Sequence, residues 1–97
     1  DSLYMWYGGG DGTNMHTGMA VSADGVTWKR RGVGPVLVCG PSGSWDAREA
    51  TIAGITVMGD KYFMIYRAID DQGTRSYALA TSLDGMQWWK YPDRPVV

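Results

Sequence analysis

The chain has 97 residues, the size of one small domain, with 9 Lys and Arg against 10 Asp and Glu and a net charge of −1. That balance argues against nucleic acid and anionic membranes as partners, since both need a clear cationic excess. No apolar run approaches the ~18 residues of a spanning helix, and one cysteine (Cys39) with one histidine (His16) excludes an internal disulfide, a Cys-based metal cluster, a His-based zinc site and a catalytic triad within the chain.

Fourteen glycines, five tryptophans and six tyrosines stand against the single glutamate, Glu49. Strands favour aromatic residues punctuated by glycine turns, and no stretch carries helical periodicity, so the chain reads as all-β. The first expected strand is Leu3–Tyr7, closed by Gly8-Gly9-Gly10-Asp11-Gly12 as a turn or loop. His16–Ser22 is the second, followed by Asp24-Gly25 as a tight hairpin signal. A third begins at Val26–Lys29 and ends near Pro35–Val38, and residues 39–50 form a long loop. Strands then follow at about 51–58, Tyr62–Ala68, Ser76–Ser82 and Gln87–Lys90, with turns at Gly59-Asp60, Ile69–Thr74 and Asp84-Gly85. The expectation is seven short strands in an antiparallel meander.

The sequence also repeats internally. Asp1, Met5, Tyr7 and Asp11 match Asp60, Met64, Tyr66 and Asp70 at an offset of 59. Ala20, Ser22, Asp24, Gly25, Trp28, Pro35 and Val36 match Ala80, Ser82, Asp84, Gly85, Trp88, Pro95 and Val96 at an offset of 60. The unit is a four-stranded meander of about 60 residues. Its strands are apolar on both faces, as in Leu3, Met5, Tyr7 against Tyr4, Trp6, so each sheet must lie between two others. β-Propeller blades are built that way.

The expected organisation is one and two-thirds blades: an incomplete blade over about 1–38, a linking loop over about 39–50 and a second blade over about 51–97. Rings close with about four to eight blades, so either missing sequence or identical copies must complete one. A homo-oligomer is the expectation for the chain taken as given. Its start at Asp1, without a methionine or signal peptide, reads as a processed, trimmed or excerpted end. The compartment stays open between cytoplasm and secretion for a chain expected to be soluble.

Ser22-Ala23-Asp24-Gly25-Val26-Thr27-Trp28 and Ser82-Leu83-Asp84-Gly85-Met86-Gln87-Trp88 are one motif, S-x-D-G-x-x-W. Asp and Gly supply the turn, Ser caps it, and Trp packs against the neighbouring blade. The motif resembles the sialidase Asp-box, one residue shorter. Together with Tyr4-Met5-Trp6-Tyr7-Gly8-Gly9, Gly18-Met19-Ala20, Pro35-Val36-Leu37 and Gly43-Ser44-Trp45-Asp46, it resembles the five-bladed propeller glycosidases of families 43, 32, 68, 117 and 130. The second blade, with Tyr66-Arg67-Ala68, is most similar to the mannoside phosphorylases of family 130.

The resemblance implies a carbohydrate ligand in a central funnel lined by the innermost strand of each blade, and no cofactor. Glycosidic cleavage needs two carboxylates, one protonated and one ionised. The family pattern would place an Asp-Pro on Ile52-Ala53, which this sequence lacks. Glu49 and Asp46 are therefore the candidate catalytic residues, with Trp45, Arg48, Arg67 and Trp89 as candidate sugar contacts. Each also has a plainer reading: Trp45 as a plug, Asp46 as a loop cap, the arginines as ion pairs, Trp89 as packing. Asp70-Asp71 reads as a solvated pair, and Cys39 as a small packed residue. Three functions follow: a glycoside hydrolase or phosphorylase, or part of one; a non-catalytic self-assembling propeller that binds a glycan; and a structural scaffold.

Overall fold

The computed structural model describes residues 2–32, 34–91 and 94–97; Asp1, matched above to Asp60, and Val33, inside the expected third strand, lie outside them. Its seven strands are β1 Leu3–Gly10, β2 Met15–Ser22, β3 Lys29–Arg30, β4 Glu49–Met58, β5 Lys61–Ile69, β6 Arg75–Ser82 and β7 Trp89–Lys90. No helix forms among the described residues, and none is long and apolar enough to cross a membrane. The strands form one open sheet in the order β1-β2-β4-β5-β6-β7, with β3 on β2. This is the all-β arrangement of propeller blades that the alternation of aromatic strands and glycine turns implies.

Four details depart from the expectation. Gly8, Gly9 and Gly10 continue β1, paired with Thr17, His16 and Met15. A Cβ on Gly8 would only reach van der Waals contact with the Thr51 methyl of β4, at 3.4 Å, whereas one on Gly10 would collide with the Met15 sulfur. The third strand shrinks to Lys29–Arg30, while Pro35–Val38 contributes one bridge, Thr17 to Leu37. Asp24-Gly25 sits within a longer loop over residues 23–28 rather than a two-residue hairpin, and the corresponding last strand starts at Trp89. Finally, the sheet is not a pure meander, because Met15 and Glu49 form a parallel bridge joining β2 to β4.

The two halves make the same loop hydrogen bonds. Thr17 N donates to Leu37 O at 2.9 Å, and Tyr77 N donates to Val97 O at 2.9 Å. Likewise Arg31 N donates to Met19 O at 2.7 Å, and Tyr91 N to Leu79 O at 3.0 Å. Ser22 Oγ accepts from Gly25 N at 2.8 Å and Asp24 Oδ1 from Val26 N and Thr27 N at 2.9 Å. Ser82 and Asp84 repeat this on Gly85, Met86 and Gln87. Gly25 and Gly85 take φ of 81° and 82°, which side chains rarely adopt.

The core lies between the halves. One face of β4, β5 and β6 buries Ala50, Met64, Tyr66, Ala68, Ala78 and Ala80 with Leu37, and Trp6, Trp45, Ile52 and Trp88 pack around them. Trp6 meets Trp88 edge-on at 6.5 Å and Tyr62 at 5.8 Å, fixing the first half on the second. The opposite face carries exposed Ile65, Tyr77 and Trp89. Strand β1 pairs on one side only, with β2.

Candidate functional site

Two polar clusters flank the start of β4. In the first, Glu49 opens the strand, and its alternation puts Glu49 and Thr51 on one face. Arg67 of β5 lies opposite Thr51 in register. Glu49 Oε2 accepts from the Thr51 hydroxyl at 2.8 Å and from Arg67 Nε in a short ion pair. The Glu49 side chain is 8% exposed while that of Arg67 is 44% exposed, so the guanidinium covers the carboxylate from the solvent side. Burial pushes the Glu49 carboxyl up, but the hydrogen bonds from Arg67 and Thr51 and the charges of Arg67 and Arg75 outweigh it and hold it below its ordinary value. The carboxylate form of Glu49 is thus favoured: it is an acceptor of hydrogen bonds, not an acid near neutral pH, and the pairing with Arg67 lowers its basicity.

The second cluster centres on Asp46, which is 1% exposed. Its Oδ2 accepts from the Tyr66 hydroxyl at 3.0 Å and lies 2.7 Å from Lys90 Nζ, while Oδ1 accepts from the Ser44 hydroxyl at 3.0 Å. Trp45 Nε1 donates to the Tyr66 oxygen at 3.1 Å, and Lys90 Nζ also donates to Val38 O at 2.7 Å. Burial, then the adjacent Asp46 charge, pushes the Tyr66 phenol well above its ordinary value, so it stays a donor. A Cβ at Gly40 would collide with Asp46 Oδ1 and Ser44 Oγ, which explains the glycine. Both Asp46 oxygens are therefore engaged inside the protein.

The other candidates are spread out. Arg48 has an exposed side chain, while its backbone bonds Ile69 O and Met15 N. Trp89 is 53% exposed on the open face, opposite Thr81. Asp71 ties two loops by accepting from Ser42 Oγ at 2.9 Å and Gly43 N at 2.8 Å, and Asp70 caps its own loop through Gln72 N and Thr74 N. Cys39 is part-buried, its thiol on Met15 O, with burial pushing its pKa up. Sequence reasoning did not single out Thr51, Arg75, Tyr66 or Lys90 for these clusters. Thr51 was legible as the second residue after Glu49 on the same face; Tyr66 and Lys90 were legible as the positions matching Tyr7 and Arg30.

No protein-family model matches the chain, and no curated protein matches it in sequence. Solved structures do match. The chain is similar to the Bombyx mori family GH32 β-fructofuranosidase BmSUC1, solved as a variant in complex with sucrose, with a TM-score of 0.71 and 22% identity over 95% of this chain. A second structure of that enzyme gives a TM-score of 0.69 and 23% identity over 92% of this chain. The chain spans about a fifth of the length of these structures, 20% in each case. The likeness establishes the fold: the strands are those of β-propeller blades.

Proposed function

We propose that the chain is a carbohydrate-binding portion of a glycosidase-like propeller, with the ligand contacting Glu49 and Arg67 at the start of β4. The observation that carries this reading is the Glu49–Arg67 pair itself. A charge-compensated carboxylate under a part-exposed guanidinium offers acceptors and a planar fork of donors, the complement of sugar hydroxyls. Tyr77, opposite Arg67 in register and 41% exposed, adds an aromatic surface beside it. Asp46 is assigned to holding the loop, since its oxygens are already taken. Glu49 is the base or nucleophile candidate if the whole protein cleaves glycosides, with the acid supplied from other blades.

The structural neighbours make sucrose and β-fructofuranosides the first ligands to try. Amide chemical shifts of the labelled chain would be followed during titration, with hydrolysis measured in parallel. Shifts centred on Glu49, Thr51, Arg67 and Tyr77 that vanish in Glu49→Gln support the reading; a sugar panel that leaves those residues unmoved removes it. The second reading is a self-assembling module without catalysis. It draws on the open face of Ile65, Tyr77 and Trp89, at 40%, 41% and 53% exposure, and a discrete oligomer by light scattering supports it.

A further inference from the structure

The edge of β4 that faces away from β5 is held by one side chain of the first half. Met15 N donates to Arg48 O at 2.9 Å, and Met15 bridges Glu49 in parallel. A parallel ladder would continue two residues on, with the N–H and C=O of Thr17 reaching the residues of β4 that flank Thr51. Both groups are engaged elsewhere: Thr17 N donates to Leu37 O at 2.9 Å, and Thr17 O accepts from Val36 N at 2.8 Å. The Thr17 hydroxyl takes their place. It donates to Ala50 O at 2.9 Å and accepts from Ile52 N at 3.0 Å, so one oxygen serves as donor and acceptor of that rung. Tyr77, the match of Thr17 at the offset of 60, bonds Val96 and Val97 through its backbone in the same way, so the loop pattern does not itself call for a threonine.

A bulge next to this rung gives it a consequence for the site. The pairing of β4 with β5 shifts between Ile52 and Gly54, directly after the pinned residue. Bulges break the ladder and re-aim side chains, and a slip of one residue sends a strand's whole set to its other face. Pinned at Ala50 and Ile52, the segment 49–52 stays opposite residues 66–69, with Thr51 across from Arg67. We propose that Thr17 is the positioning residue of the Glu49 site: its hydroxyl, a side-chain rung between β2 and β4, holds Glu49 and Thr51 on the face that Arg67 covers. The inference rests on the reading of Glu49 and Arg67 as a ligand site. Thr17 is fully buried and both bonds of its hydroxyl end on backbone, so it acts through the strand and not on a ligand.

The test compares Thr17→Val, which replaces the hydroxyl by a methyl, with Thr17→Ser, which keeps it. Two NMR readouts serve, both without ligand: exchange of the Ile52 amide, and titration of Glu49 at its side-chain carboxyl carbon. In Thr17→Val the Ile52 amide should exchange roughly tenfold faster relative to that of Tyr66. The Glu49 titration should move upward, as the carboxylate loses its alignment with Arg67 and Thr51. Thr17→Ser should keep both as in the parent chain. A role in stability alone would lower the unfolding midpoint of Thr17→Val and leave the Glu49 titration in place, and that outcome overturns the proposal. Where Thr17→Val does not fold, Thr17→Ser decides: parent-like readouts uphold the hydroxyl, and a fast Ile52 amide or a shifted Glu49 overturns it. An upward shift in Thr17→Val upholds the proposal even where the parent chain binds no sugar, a failure that removes the carbohydrate reading alone.

Discussion

The indole N–H of Trp6 donates to the carbonyl of Gly85 at 2.9 Å, across 79 residues of sequence. Trp88 donates to the same oxygen at 2.9 Å, so one turn carbonyl joins both halves of the chain. The S-x-D-G-x-x-W turn of the second half is therefore a joint as well as a turn. The same turn in the first half lacks such a partner among the described residues: Trp28 donates only to its own Gly25, at 3.2 Å.

The two glycines of these turns should respond differently to alanine. Both have positive φ, so both variants lose stability from backbone strain. At Gly85 a Cβ would also meet Trp6 Cζ2 at 2.9 Å, whereas at Gly25 it meets only a flexible Leu3 methyl at 3.4 Å. Gly85→Ala should therefore cost about 1–2 kcal/mol more than Gly25→Ala in urea unfolding. Equal losses would mean that Trp6 does not rest on this turn.

Truncating the motif tryptophans should show the same asymmetry. Trp88 packs edge-on against Trp6 at 6.5 Å and Tyr62 at 6.4 Å, while Trp28 has neither partner. Aromatic pairs contribute ~0.5–1.5 kcal/mol each beyond their buried area. Trp88→Ala should lower the melting temperature clearly more than Trp28→Ala; the reverse order would contradict the joint.

Local rules made the architecture legible. Alternating aromatic strands, glycine turns and the spacing of 59 to 60 residues are together the local pattern of propeller blades. Gly8-Gly9-Gly10 misled because glycine was read as a turn former, when the backbone there continues the ladder with Thr17, His16 and Met15. The parallel bridge from Met15 to Glu49 was illegible because pairing between halves depends on how they pack, not on local pattern. The site was legible in part. Glu49, Arg67, Asp46 and Trp45 stood out by chemistry, but the separation into two clusters depended on partners distant in sequence, such as Lys90 for Asp46.

Asp46 should prove a stability residue. Its removal leaves the Lys90 ammonium, whose side chain is 23% exposed, with Val38 O and no counter-charge, and takes the acceptor from the buried Tyr66 hydroxyl. Asp46→Ala should cost about 1–3 kcal/mol, the penalty for leaving the buried Tyr66 hydroxyl without its acceptor. Asp46→Asn keeps an acceptor and should cost less. The emission of Trp45, which is tied to Tyr66, should shift in the alanine variant, and unchanged unfolding in both variants would detach Asp46 from the loop.

Acid should weaken the fold partly through Glu49. Because its folded pKa lies below the ordinary value, the group adds stability that is present above the unfolded pKa and fades as pH falls through the lowered folded one. The decline belongs below the ordinary glutamate range of about 4.3. Arg67 is 44% exposed, so solvent screening keeps the ion pair to within about 1 kcal/mol. Asp11, Asp24, Asp71 and Asp84 are also held below their ordinary values by hydrogen bonds, led in each by a backbone N–H, so the total acid slope is shared. The informative quantity is the difference between the parent chain and Glu49→Gln, measured by urea unfolding from neutral to acid pH. The two curves should converge as pH falls, and Arg67→Gln should move the Glu49 titration upward when followed at its side-chain carboxyl carbon. A Glu49 that titrates at or above the ordinary range in the parent chain would break the link between this carboxylate and Arg67.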